Sequence, residues 1–299
     1  MAPLKISMAR EALRLPENVP GDFYVDRTCI DCDACRQIAP GTFRDHGGAS
    51  SVGSQPIGDA DVRRAMMALV ACPTGSIGAP RSFSRRIGTE AFPDPVSENV
   101  YSCGFRAASS FGAESWLIRR PAAQGGNVLV DSPRFAPPLV RALERIGGVS
   151  VLFLTHRDDV ADHARFAERF GCRRFLRSED GGARLGVEEA WSGDAPLAID
   201  PDLTAIPTPG HTRGHAVLLY RDTHLFTGDH LAGSPNRKRL TAFRDACWYS
   251  WREQIGSMKR LRDYRFSWVL PGHGRLHHAP EAEMRASLEE CIRWMERTP

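Results

Sequence analysis

The sequence predicts an α/β protein of two domains, with the smaller one first. Three observations carry this reading. Cys29, Cys32, Cys35 and Cys72 are gathered near the start of the 299-residue chain. A polar stretch with two prolines, residues 81–98, follows them and reads as a linker. Beyond it, β-prone runs alternate with turns and helical periodicities, and turns bearing His or Asp recur after the strands.

Residues 1–22 form an N-terminal lead. The spacing of Leu4, Met8 and Leu15 with Arg10 and Arg14 is that of an organelle-targeting helix, but Glu11 and Pro16 favour an ordinary lead. It has no apolar core or cleavage site of an export signal, so a cytoplasmic location is expected. The first domain, 23–80, has short periodic segments between Gly- and Ser-rich turns. In the second, 99–299, Ser115–Arg120, Asn127–Val130 and Val149–Leu154 are strand-like, and Val140, Leu143 and Ile146 share a helical face. A helix is expected over Asp159–Phe170 and a strand over Arg173–Leu176. Ala216–Tyr220 and His224–Phe226 flank a hairpin turn. Trp248, Trp251, Ile255 and Met258 are placed as the core stripe of one helix. Ser267–Leu270 is a last strand, and Pro280 opens a closing helix.

Apolar residues at 42% and charged residues at 25% describe a globular chain. A net charge of +3, with arginines scattered along the chain, argues against a nucleic-acid partner. No apolar run approaches the roughly 20 residues that span a bilayer, so no membrane partner is expected.

The spacing C-x-x-C-x-x-C at Cys29, Cys32 and Cys35, completed by Cys72-Pro73, suits thiolates converging on one metal centre better than paired disulfides. Tetrahedral zinc is the other use of four thiolates, although zinc sites more often show two separated knuckles. The segment CIDCDACRQIAPGTF with the later ACPTGSI resembles a single-cluster bacterial ferredoxin over residues 23–79. That resemblance implies an α+β ferredoxin-like domain and a [4Fe-4S] cluster on Cys29, Cys32, Cys35 and Cys72, working in one-electron transfer. Cys103, Cys172, Cys247 and Cys291 read as small buried apolar residues.

Four short motifs each follow a strand: LTHRDDVADH (154–163), TPGHTRGH (208–215), LFTGDH (225–230) and VLPGHG (269–274). Imidazoles and carboxylates brought together by such loops make a divalent transition-metal site. These motifs, with VDSP around Asp131, resemble the metallo-β-lactamase fold superfamily across residues 99–299, which implies an αββα sandwich. Carried over, His156 and His211 are ligands of a first metal, Asp229 binds one metal or bridges two, and His273 serves the second.

The loop after His156 departs from the superfamily's H-x-H-x-D-H. Asp158 stands where the second histidine belongs, and Asp162-His163 arrives two residues late. On a helix, Asp158/Asp162 and Asp159/His163 are pairs on a shared face, and either pair can turn toward a metal. Asp158, Asp162 and His163 therefore stay as candidate ligands, with Asp158 or Asp162 orienting an attacking water beside Asp229. His215 and His230 read as groups orienting the ligands. His277 and His278 read as surface residues, and His46 and His224 as loop residues.

The resemblance implies one or two divalent ions, zinc or iron, and hydrolysis of a small-molecule ester or thioester by metal-activated water. Hydrolysis moves no electrons, so the attached ferredoxin raises an alternative. A mononuclear or dinuclear non-haem iron site would run redox chemistry, fed by the cluster and by a redox partner protein. A cluster-based sensor with an inactive second domain is the third reading; the joint presence of His211, Asp229 and His273 speaks against it.

Overall fold

The computed structural model describes residues 9–80, 82–235 and 239–298. Leu4 and Met8 of the N-terminal pattern, and Arg81 at the head of the polar stretch, lie outside them. The chain divides into two compact units. The first takes the residues up to Leu117 together with Pro133–Gly148; the second takes Ile118–Ser132 and the residues from Val149 onward. Residues 99–117, which composition assigns to the second domain, thus group with the cysteine-bearing unit.

The first unit opens with β1 (Tyr24–Val25), α1 (Ala34–Ile38), β2 (Phe43–Asp45), β3 (Ser50–Val52), α2 (Gly58–Ala71) and β4 (Ile77–Gly78). β1 pairs with β4 and β2 with β3, both antiparallel. The apolar face of α2, through Ala65, Met66 and Ala68, packs on Phe23, Val25, Phe43, Val52 and Ile77, and Cys35 lies in the same core. Burying each large side chain contributes about 1.5–3 kcal/mol, which is what orders so short a set of strands. The polar stretch is not extended: it folds into α3 (Arg86–Thr89) and β5 (Asp94–Pro95), the latter paired with β6 (Val100–Ser102). Gly88 of α3 lies against the Met66 carbonyl, where a Cβ would fall at 2.3 Å. α4 (Pro137–Arg145), with proline in its first turn, buries Leu139, Val140 and Leu143.

β7 (Trp116–Ile118) leads into the second unit. There β8 (Val128–Val130), β9 (Val151–Phe153), β10 (Arg173–Arg177) and β11 (Glu189–Trp191) lie parallel, in the order β11-β10-β9-β8. Parallel neighbours need a crossover, and α5 (His163–Phe170) supplies the one between β9 and β10. The other sheet contains β12 (Leu197–Asp200), β13 (Leu203–Pro207), β14 (Ala216–Tyr220) and β15 (His224–Gly228) as an antiparallel run. A small ribbon, β16 (Ala232–Gly233) with β17 (Leu240–Thr241), and α6 (Trp251–Arg260) follow. β18 (Trp268–Pro271) then joins β15 in parallel, β19 (His277–His278) closes the edge, and α7 (Glu281–Arg297) ends the described chain. Ile206, Val217, Leu225 and Val269 of this sheet share one core with Met258 of α6 and Met284, Leu288, Ile292 and Met295 of α7. Two sheets with helices on them is the αββα arrangement expected. No helix among the described residues is long and apolar enough to cross a membrane.

Two helix starts differ from expectation. α5 begins at His163, not Asp159, because residues 157–162 form turns with Ala161 at φ 29°. α6 begins at Trp251, because the Ser250 side chain caps it by accepting from the Glu253 N–H. Trp248 therefore lies outside the helix and is exposed rather than part of the core stripe.

A candidate metal centre and a four-thiolate pocket

In the second unit, β8 and β9 lie side by side and end together, which sets Asp131 beside Thr155. The Thr155 backbone N–H donates to Asp131 Oδ1 at 2.8 Å, and its hydroxyl lies 2.9 Å from both Asp131 oxygens. The same hydroxyl is 2.9 Å from His156 Nδ1. A hydroxyl donating to the carboxylate accepts from Nδ1–H, which leaves Nε2 of His156 as the lone-pair nitrogen. Burial pushes the Asp131 carboxyl up to about 7, against the Thr155 hydrogen bonds.

The turn after β13 carries His211, whose carbonyl accepts from the N–H groups of Trp248 and Tyr249 at 2.9 and 3.0 Å. Asp229 follows β15 and His273 follows its parallel neighbour β18, so these two loops also meet. His273 Nδ1 and Asp229 Oδ1 are 2.8 Å apart. From Asp158 Oδ2, His211 Nε2 is 3.5 Å away and His156 Nε2 is 3.9 Å away. Both imidazole Nε2 atoms lie 3.8 Å from Asp229 Oδ2.

Two sets of donor atoms converge: His156, Asp158 and His211, and His156, Asp159 and Asp229. Donors held about 2.0–2.2 Å from a tetrahedral ion stand roughly 3.3–3.6 Å apart, close to these separations. His156 Nε2, both His211 ring nitrogens and Asp159 Oδ2 are buried without a hydrogen-bond partner. A divalent cation would give these buried atoms the partner that the protein does not supply. The donor set therefore fits a divalent metal. Asp162 and His163 are in neither set. Asp162 lies at the start of α5, and His163 Nδ1 is 3.2 Å from Arg174 Nη1, which ties the helix to β10.

The electrostatics agree with a site short of positive charge. Burial lowers His156 to about 4, so it is neutral, with a lone pair on its free nitrogen. Burial, with Asp229 and Asp131 nearby, raises Asp159 well above the carboxylate range. Burial would raise Asp229 too, but His273, His156 and His211 overcome it and hold it below its usual value. The His211 imidazole likewise holds Asp158 low, and that carboxylate is 44% exposed to solvent. His215, bonded to Thr208 Oγ1 at 2.9 Å, and His230 are both buried behind the ligands and kept neutral by burial. His224 falls on a strand rather than in a loop, and of the pair expected on the surface His278 is exposed while His277 is half-buried.

Asp180, missed in the sequence, pins the two histidine loops. It is buried and accepts from the Arg157 N–H at 3.1 Å, the Thr212 hydroxyl at 2.6 Å and the Gly214 N–H at 2.7 Å. Its sequence signal is weaker than that of the other motifs: β10 reads RRFLR, and only the carboxylate before Gly181-Gly182 marks the turn. Gly272 has the opposite requirement. A Cβ there would come 2.8 Å from Asp159 Oδ2 and 3.0 Å from Asp229 Oδ1, so only glycine leaves the carboxylates their room.

In the first unit, Cys29, Cys32, Cys35 and Cys72 line one small cavity with Ile30, Ser50 and Ile77. All are free thiols. Burial pushes Cys32 up to about 11 and Cys35 up to about 12, so these two thiolates call for positive charge beside them. Backbone N–H groups of Asp31 and Ser50 point at Cys29 Sγ (3.4 and 3.5 Å) and that of Ser76 at Cys72 Sγ (3.3 Å). Such N–H···S contacts are the usual surroundings of an iron–sulfur cluster.

Residues 25–79 match the 4Fe-4S single cluster domain of Ferredoxin I. Over the remainder the chain is similar in structure to VMB-1, with a TM-score of 0.52 at 17% identity over 68% of this chain and 95% of that one. The DIM-1 metallo-β-lactamase gives a TM-score of 0.52 at 17% identity over 69% and 96%. The fold is the metallo-β-lactamase fold. In sequence, the hydroxyacylglutathione hydrolase of Rhizobium johnstonii is 31% identical over 141 residues, 46% of this chain and 52% of that protein. The enzyme of the same name from Cereibacter sphaeroides is 33% identical over 114 residues, 37% of this chain and 45% of that protein. The chain thus spans about half the length of the curated relatives it matches. It joins a 4Fe-4S ferredoxin domain to a metallo-β-lactamase fold whose sequence relatives are enzymes.

Proposed function

We propose that the protein is a metal-dependent hydrolase of a small ester or thioester, with the fused ferredoxin domain providing electron transfer or redox control. The observation that carries this is the pair of donor sets sharing His156, with their buried ring nitrogens unspent on the protein. His156, His211 and Asp158 would hold one divalent ion, and Asp229, Asp159 and His273 would hold or approach a second. A bound divalent metal supplies a water acidic enough to ionise near neutral pH, and polarises a carbonyl. The chain's own groups do the rest. Asp131 and Thr155 fix the His156 ring, and Asp180 fixes the loops that carry His156 and His211. Asp158, ionised and half exposed, would bind the ion through the oxygen nearest the imidazoles and orient a water with the other. The similarity to hydroxyacylglutathione hydrolases supports an acyl substrate of small size.

The test is thiol release from a series of acyl thioesters by anaerobically purified full-length protein, beside His211→Ala. We expect His211→Ala to lose the second-unit metal and at least a hundredfold in rate. Metal content and rate both at parent level would overturn the reading.

One observation favours a second reading. Two histidines and a carboxylate with open positions, in a chain that also holds a four-thiolate pocket, suit non-haem iron fed by a cluster. Iron outside the cluster, with substrate-dependent oxygen uptake and no thiol release, would select it.

A further inference from the structure

The first unit contains a buried ion pair outside the stretch that matches the ferredoxin domain. Arg106 and Glu114, with side chains 2% and 5% exposed, meet at 2.9 Å. Buried charges persist only when paired, and this pair has further hydrogen bonds at both ends. Glu114 also accepts from the Ser102 hydroxyl at 2.8 Å and from the Ser115 N–H at 3.1 Å. Arg106 donates to Gln37 Oε1 at 2.9 Å, on the same helix α1 that carries Cys35. It also donates to the Gly112 carbonyl at 3.2 Å. Gly112, at φ 81°, lies directly on Cys32: a Cβ there would fall 2.9 Å from Cys32 Sγ. The guanidinium thus stands one residue behind the backbone that covers the thiolate. Its Nε is buried and unpartnered, so part of its donor capacity is not used by the protein.

We propose that the loop from Cys103 to Glu114 forms an outer wall of the cluster pocket, and that Arg106 raises the reduction potential of the cluster, with Glu114 as its counter-charge. This rests on the reading that Cys29, Cys32, Cys35 and Cys72 hold a 4Fe-4S cluster. One electron, delivered by a one-electron donor protein, takes the cluster core from 2+ to 1+ and adds one negative charge to the pocket. A positive charge behind Cys32 stabilises that reduced form, and a carboxylate at the same place opposes it.

The experiment is an EPR-monitored redox titration, with dithionite as reductant, of the full chain and of Arg106→Gln and Glu114→Gln. Arg106→Gln should lower the midpoint, and Glu114→Gln should raise it. Each should change the reduced-to-oxidised ratio at fixed potential by about tenfold, or about 59 mV for one electron. A merely structural pair would move both the same way or not at all. If one variant fails to load iron, the other decides by the sign of its shift. A loaded variant whose ratio changes less than twofold, or two shifts of the same sign, would overturn the proposal. A parent protein that binds no four-iron cluster would instead overturn the cluster reading on which it stands.

Discussion

Asp180 shows how much of the candidate metal centre rests on one side chain that touches no candidate ligand atom. Its two oxygens collect three donors from the loops carrying His156 and His211. Replacing it by alanine strands those donors in a buried place. Hydrogen bonds to a charged acceptor are worth about 1.5–3 kcal/mol each, and unpaired buried donors add to the loss. Asp180→Ala should therefore destabilise the protein by about 3 kcal/mol or more in urea unfolding. Because the ligands lose their orientation, metal affinity in a chelator competition should fall by about 10–100-fold. Parent affinity in a folded Asp180→Ala protein would mean that the loops pose themselves without it.

At the scale of elements, α5 is anchored on β10 by a chain of polar contacts rather than by metal. His163 meets Arg174, and Arg174 grips Glu188 through Nε at 2.9 Å and Nη2 at 2.7 Å. The Arg174 hydrogen bonds hold Glu188 down to about 2, against the effect of burial. A carboxylate whose folded value lies below its unfolded one, about 4.3, stabilises above that pH. The contribution drains away as pH falls toward 2. Glu188 is 42% exposed, so after solvent screening the gain is under about 1 kcal/mol. Glu188→Gln should therefore be less stable than the parent at pH 6 and nearly equal to it only at about pH 2. A gap of the same size at both would dismiss the ion pair as its source. The same stretch marks how far the sequence could be read. Strands such as β9 and β14 were legible because apolar runs between turn residues have few alternatives. The start of α5 was not, since Asp158 and Asp159 obey helical spacing while a turn at Ala161 aims them at the histidines. Nor was Trp248, whose apolar character fits a core stripe although its N–H is taken by the His211 carbonyl. Backbone hydrogen bonds of loops leave no periodic trace.

At the scale of the molecule, the two chemistries have separate supports. All four thiolates belong to the first compact unit, and every candidate ligand of the metal centre belongs to the second. Each unit has a core cluster of its own residues: Phe23, Val52 and Met66 in the first, Leu225, Met258 and Ile292 in the second. Loss of one metal group should therefore leave the other in place. In Cys32→Ser, replacing a thiolate with a poorer ligand should strip or shrink the cluster, seen as loss of visible absorbance and of iron. The metal bound through His156 and His211 should stay at the parent level by elemental analysis. What that metal then does separates the two readings. Retained zinc with unchanged thiol release makes the cluster a controller of a hydrolase or a carrier for another reaction. Retained iron that can no longer be reduced makes the thiolate pocket the electron entry to the histidine site. Loss of both metal groups from this one substitution would overturn the expectation that each is held by residues of its own unit alone.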